Sequence, residues 1–290
     1  MSNLRVGNCR LCGNRSKLQE SHIVPKSIGK WLRETSATGY LRSVGSPNKR
    51  LQDLHKMPLF CSECEQSIGR DEKYFKERIF LPIHYEVRAT FEYEESLLRF
   101  AVSLAFRTLC YYERIDPPKG TDAAELLGAS YRWQRYLLGK ESSPGFGSHH
   151  MFIVDPVEDH LNGLRRTMNS YLLRSVSIDI LRYDGRVAVL TKLPWFIFMS
   201  EVTDVPLLGW KDTQLSQKGT IPRQQSLTDE SFLDYMMDRA HQTETAIQAM
   251  SPKQQQVISS DALRAPERAY YSQSFDLHRF EKSLSSNFED

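Results

Sequence analysis

The sequence predicts an α+β protein with a small metal-bearing unit at its N-terminal end, followed by a mixed helical and β-hairpin domain. Three observations predict it. Cys9-Arg10-Leu11-Cys12 and Cys61-Ser62-Glu63-Cys64 form two C-x2-C pairs, the spacing of a structural zinc site with four thiolate ligands. Apolar residues Leu97, Leu98, Ala101, Leu104, Ala105 and Leu109 recur at three- and four-residue steps, the pattern of a long buried helix. Alternating runs flank Asp184-Gly185, a dipeptide that closes β-hairpins.

The elements follow in chain order. Each cysteine pair sits in a tight knuckle whose backbone amides can stabilise thiolate charge, and Gly13 supplies the permissive backbone such a turn needs. Cys12 and Cys61 lie 49 positions apart, more than a compact zinc ribbon leaves, so the segment between them must carry structure of its own. Within it, Ser21-His22-Ile23-Val24-Pro25 reads as a short strand and residues 27–33 as a helix, whereas residues 35–40 and 46–50 read as loops from their Gly, Ser, Pro and Asn content. Leu59-Phe60 reads as a strand entering the second knuckle, which runs into a helix with Ile68, Phe75 and Ile79 on one face. A knuckle that feeds a helix is how a treble-clef finger ends.

Beyond residue 85 the long helix spans residues 93–115 and stops at Asp116-Pro117-Pro118. A second helix covers 121–139, with Thr121 as its N-cap. Strands cover 175–182 and 187–202 around the Asp-Gly turn, and Pro194 marks the second as an edge or bulged strand. Residues 228–250 return to helix, and Ser251-Pro252 opens another with proline at its first position. The expected organisation is a zinc-bound module over 1–85, a mixed domain over 86–264 and a loosely docked polar tail over 265–290.

The 290 residues, 40% of them apolar and 11% aromatic, suffice for a sizeable core. Net charge is +2, but residues 1–80 carry 15 Lys/Arg against 8 Asp/Glu, a net of +7, and the remainder is net −5. That asymmetry suggests a polyanion at the zinc-bearing end; a solvated basic face is the alternative. The first residues have no apolar core segment, and no run approaches the ~20 apolar residues of a membrane span. A cytoplasmic location is therefore expected, in which thiols stay reduced and metal binding is favoured over disulfides. The fifth cysteine, Cys110, falls in the apolar helix and reads as core.

His22 carries the chemistry of greatest interest. The x-His-Ile-x-Pro phrase between two cysteine pairs, with a helix after the second, resembles the zinc-braced members of the HNH nuclease family, a ββα-metal site. The resemblance implies a metal-dependent endonuclease acting on DNA. A structural Zn2+ would sit on Cys9, Cys12, Cys61 and Cys64, His22 would be the general base, and a catalytic Mg2+ or Mn2+ would stabilise charge on the phosphate. Where the family often has Asp before the base this chain has Ser21, and where it often has Asn after the last cysteine it has Glu65. Glu65 is either a ligand for that second ion or a solvated carboxylate at a helix start. Glu72, two helical turns or about 10.5 Å further on, is too far to share its ion. Asn48 is a candidate to orient the base; it is also a plain turn residue. His22 itself reads as a general base, as a structural histidine or as a spare zinc or phosphate contact. His149-His150 reads as a solvated pair in a loop.

The phrases Ser21–Lys26, Thr38–Arg42, Gln52-Asp53 and Cys64-Glu65 also resemble bacterial proteins of unassigned role with this N-terminal module. That likeness implies a setting such as an anti-phage defence effector with a protein partner. The other function class is a non-catalytic zinc module that binds nucleic acid or a partner protein.

Overall fold

The structure, a computed structural model, describes residues 5–86, 88–157 and 167–286. The first four residues, read above for an apolar leader, and the last four of the expected tail lie outside them.

The N-terminal unit opens with β1 (Val6–Asn8) and β2 (Arg15–Lys17), an antiparallel pair whose loop holds Cys9–Cys12. Next come β3 (Gln19–His22), α1 (Lys26–Glu34), β4 (Leu41–Ser43), β5 (Ser46–Leu51) and β6 (Lys56–Phe60). β6 returns antiparallel to β3, and Cys61 then starts α2 (Ser62–Phe75). One difference from expectation lies here: residues 46–50 are not a loop. Val44-Gly45 closes a tight turn that pairs β4 with β5, and the isolated two-stranded ribbon tolerates Pro47 because no further strand needs its amide.

α2 passes through a π-helical turn (Lys76–Phe80) into α3 (Leu81–Tyr85), then β7 (Thr90–Tyr93) and α4 (Glu95–Ile115). Thirteen consecutive or near-consecutive residues of α4, Leu97 to Cys110, are buried, so α4 is wrapped on all sides rather than laid on a surface. Against it pack α2, through Phe75 stacked on Phe100 at 4.2 Å between ring centroids, and α5 (Ala123–Leu137). The expected N-cap Thr121 is displaced by one position: Asp122 precedes α5.

The third partner of α4 is a four-stranded antiparallel sheet. β8 (His149–Ile153) lies at one edge, α6 (Met168–Arg174) follows it, and β9 (Ser177–Tyr183), β10 (Arg186–Leu193) and β11 (Phe196–Glu201) complete the order β8-β11-β10-β9. The Asp-Gly hairpin forms as expected, with Asp184 at φ 50° and Gly185 at φ 72° and Arg186 opposite Tyr183. Residues 187–202, expected as one interrupted strand, are two. Pro194-Trp195 closes a second hairpin in which Leu193 faces Phe196, and Trp195 absorbs the turn at φ 69°. Proline therefore sits outside the ladder, and β10 becomes a central strand. The sheet alternates its faces as the pleat requires: Phe196 and Phe198 point to α4, whereas Ile197 and Met199 join a second apolar cluster with α6 and α7 (below).

After β12 (Trp210–Lys211), β13 (Gly219–Pro222) and β14 (Ser226–Leu227), α7 (Glu230–Gln248) is capped by Asp229, which accepts from the amide of Phe232. α8 (Pro252–Arg264) has Ser251 as N-cap, accepting from Gln254. The polar end of the chain is not a loose tail within the described residues. It forms α9 (Pro266–Tyr270) and α10 (Gln273–Ser286), tied down by Arg268 Nη2 donating to the Arg33 carbonyl at 2.7 Å and by Ser170 donating to Glu281 at 2.7 and 2.8 Å. The core likewise does not divide at residue 85: one buried cluster runs from Cys9 and Phe60 through α4 to Ile221. Among the described residues no helix is long and apolar enough to cross a membrane.

Candidate metal centre and the His22 site

The first knuckle is shaped by its own backbone. The Cys9 amide donates to the Asn14 carbonyl and the Gly13 amide to the Cys9 carbonyl, each at 2.9 Å, with Gly13 at φ 79°. That left-handed conformation is the one a glycine adopts without strain. The second knuckle is the start of α2, where Cys61 holds extended backbone before the first turn and Cys64 lies within it. Two bonds join the knuckles. The Arg10 amide donates to the Leu59 carbonyl at 2.9 Å, and the Cys61 amide donates to Cys9 Sγ at 3.3 Å. α5 holds the first knuckle from outside, through Gln134 Nε2 donating to the carbonyls of Arg10 and Leu11.

These contacts bring the sulfurs of Cys9, Cys12, Cys61 and Cys64 within 4.8 Å of one another, with Cys12 and Cys61 at 3.8 Å. A tetrahedral ion with metal–sulfur bonds of ~2.3 Å places its sulfurs ~3.8 Å apart, so the cluster is of a size that could hold a metal ion. All five cysteines are free. Burial pushes the Cys9 thiol up, but donation from the amides of Cys12, Cys61 and Leu11 brings it below its ordinary value overall. Burial and the neighbouring thiols hold Cys12 and Cys64 high. Four such sulfurs cannot all ionise in this space without a cation among them. Cys110 lies apart, buried in α4, its thiol pushed up to about 11 by burial.

β3 distributes its polar side chains to two sides. Ser21 is buried against α2, and its hydroxyl donates to Glu65 Oε2 at 2.5 Å. His22, paired with Lys56 on β6, turns its Nε2 to Asp53 Oδ1 at 2.8 Å. Asp53 also accepts from Lys56 Nζ at 3.1 Å and from the Leu54 amide at 3.0 Å. Burial raises the Asp53 carboxyl, but His22, Lys56 and that amide outweigh it and hold the group down at about 2. A carboxylate on Nε2 keeps the ring proton there and leaves Nδ1 as the free lone pair. The His22 side chain is 14% exposed. Its backbone is fixed by Arg107, a fully buried residue of α4 whose Nη1 donates to the His22 carbonyl at 2.9 Å and to Glu72 Oε1 at 2.6 Å.

The site residues singled out in the sequence are thus distributed among four places, His22 at Asp53 being one of them. The cysteines converge; Glu65 meets Ser21; Asn48 lies elsewhere, its Oδ1 accepting from the Ser251 amide at the start of α8. The position expected of Asn48 beside the imidazole is filled by Asp53. Among the described residues the four cysteines are the one group of three or more metal-capable side chains, and Glu65 is not in such a group. His149 and His150 are not solvated. They are buried in β8, with Nδ1 on Ser200 Oγ at 2.7 Å and on Thr213 Oγ1 at 2.8 Å, and burial drives them down to about 3 and about 4.

No protein-family model, curated protein or solved structure matches the chain.

Proposed function

We propose that the chain is a zinc-scaffolded phosphodiesterase of the HNH type acting on DNA, with His22 as general base and Asp53 as the group that orients it. The observation that carries this reading is the Asp53–His22 contact at 2.8 Å. It lies on a strand pair, β3–β6, that runs directly into the second cysteine pair and α2. The knuckle, strand pair and helix follow the order of a treble-clef finger. In this reading Zn2+ on Cys9, Cys12, Cys61 and Cys64 is structural, closing the site with four thiolates.

Asp53 holds the imidazole with Nε2 protonated. His22 Nδ1 then accepts a proton from a water whose oxygen bonds to phosphorus as the scissile P–O bond breaks, and the departing sugar oxygen takes a proton from solvent. Lys56, in contact with Asp53, keeps that carboxylate ionised. Glu65, with Ser21, is the chain's oxygen donor for a Mg2+ or Mn2+ ion. Such an ion is usually shared between one or two carboxylates and the substrate's phosphates, and it would supply charge neutralisation there. The net +7 of residues 1–80 supports a polyanionic substrate.

The test is cleavage of plasmid and linear DNA by the zinc-loaded protein with Mg2+ or Mn2+. Activity that disappears in His22→Ala, with zinc content and melting temperature unchanged, supports the proposal. Equal activity in His22→Ala ends it. The second reading, a non-catalytic zinc module that binds nucleic acid, is favoured by Ser21: it offers Glu65 a hydroxyl where a second carboxylate would make a stronger cation site. Salt-sensitive DNA binding without cleavage in any metal is its signature. A role as a defence effector with a protein partner rests on the resemblance alone.

A further inference from the structure

A cavity of about 650 Å³ opens between the β4–β5 ribbon, the C-terminal end of α6, the start of β9 and α7. Its size lies within the ~300–1,000 Å³ of small-molecule sites. Four cations line it, Arg42, Lys56, Arg174 and Arg239, against a single carboxylate, Asp53. Two of the cations are already neutralised: Lys56 by Asp53 and Arg239 by Asp179. Arg42 and Arg174 have no carboxylate within ion-pair distance among the described residues.

Arg174 is held by neutral groups, the Leu32 carbonyl at 2.9 Å, Thr35 Oγ1 at 2.8 Å and Gln273 Oε1 at 3.3 Å, and its planar guanidinium lies over Trp31. Arg42 is half-buried, and its Nε has no partner; turning the Gln254 amide gives its Nη2 one neutral acceptor at 3.0 Å. A cavity wall carrying two guanidiniums with no carboxylate in direct contact, Arg42 feeling Asp261 only from beyond ion-pair distance, attracts an oxyanion able to accept several N–H donors. The wall also carries apolar side chains, among them Leu54 and Val176, which suit a planar ring.

We propose that this cavity binds a phosphorylated small molecule of mononucleotide size, with the phosphate on Arg42 and Arg174. The inference goes beyond the nuclease reading and does not depend on it. The two places nonetheless adjoin, because Asp53 belongs both to the cavity wall and to the His22 couple.

The test is calorimetric titration of the full-length, zinc-loaded protein with deoxyadenosine 5′-monophosphate, without divalent cations, beside deoxyadenosine itself. The monophosphate is expected to bind and the nucleoside not to. Arg42→Glu is expected to weaken binding at least tenfold while zinc content and melting temperature stay as in the parent. Val44→Glu, at a rim position 49% exposed, is expected to weaken binding as well, and it places the charge where folding is insensitive to it. Equal binding of nucleoside and nucleotide overturns the proposal, as does undiminished binding in both variants. Binding of a 5′-phosphorylated single strand with no binding of the monophosphate also overturns it, since the cations then serve a polymer. His22→Ala separates the two readings: it abolishes cleavage under the proposed function and leaves nucleotide binding unchanged here.

Discussion

His22 and Asp53 stand 31 residues apart in sequence and 2.8 Å apart in space, Nε2 to Oδ1. The contact is made by strand pairing: β6 returns beside β3 with Lys56 opposite His22, and Asp53 sits three residues before Lys56. The carboxylate fixes the tautomer of the ring.

The first prediction concerns that carboxylate. Asp53→Asn preserves the shape but allows the amide to present either a donor or an acceptor to Nε2, so the base nitrogen is no longer fixed. If His22 is the general base, the DNA-cleavage rate falls by ~10²–10⁴, the usual worth of such a group, with zinc retained. The Asp53 carboxyl is depressed to about 2 in the folded state from ~3.9 when unfolded. Its contribution to stability is thus fully present above pH ~4 and is lost as pH falls towards 2. A pH–rate profile between 5 and 9 therefore owes nothing to Asp53 titration. A parent and Asp53→Asn pair with the same rate would remove Asp53 from the mechanism.

The second prediction concerns the four sulfurs. Purified protein carries about one zinc per chain by elemental analysis. Cys64→Ser loses the metal and unfolds the N-terminal unit, because binding energy in such a site is folding energy. Since Phe60 and Phe75 share a core with α4, the melting temperature of the whole chain drops with it. Cys110→Ser, outside the cluster, keeps its zinc. Metal-free protein with an unchanged melting curve would refute a structural role.

The third prediction concerns Arg107, which ties α4 to β3 and α2. With Arg107 buried and bonded to both Glu72 and the His22 carbonyl, Arg107→Ala leaves a partly buried carboxylate and an unpaired carbonyl. Breaking a buried pair from one side costs about 3–5 kcal/mol. Chemical denaturation should show that loss. Arg107→Lys recovers only part of it, since one ammonium does not reproduce the two-pronged guanidinium. A loss below ~1 kcal/mol in Arg107→Ala would mean that water replaces the pair.

How much of this was legible in sequence depended on how local the determinant was. The two C-x2-C pairs, the period of α4, the Asp184-Gly185 turn and the Ser251-Pro252 helix start are all local patterns, and each appears where expected. Pro194 was misleading because a proline inside an apolar run signals a strand defect or a turn equally well. Only the pairing of Leu193 with Phe196 decides for the turn. His149-His150 looked like loop material because two polar residues follow a Gly-Ser segment. Their burial comes from β8 adding to β11, a contact that pairs His149 with the distant Ser200 and His150 with Met199. Asp53 as the partner of His22 was hidden for the same reason, although its phrase Gln52-Asp53 stood out. Arg107 gave no local signal at all, being one charge within an apolar stripe.

The last prediction follows from the buried histidines. His149, His150 and His84 are driven down to about 3, about 4 and about 4, chiefly by burial, whereas an unfolded histidine titrates near 6.5. Between pH 6.5 and 4 the unfolded chain binds protons that the folded chain refuses, so stability is full above pH ~6.5 and falls as pH drops. At pH 5 the loss is about 2 kcal/mol for each such histidine. His150 has the Glu201 carboxylate 3.9 Å from its Nε2. Among the described residues His149 has no carboxylate within ion-pair distance; its Nε2 is buried without a partner there, and it is the cleaner probe. His149→Gln keeps a group that can meet Ser200 and cannot take up a proton. Melting temperatures measured from pH 7.5 to 5 should therefore decline less steeply in His149→Gln than in the parent. Parallel declines would show that the acid sensitivity arises elsewhere.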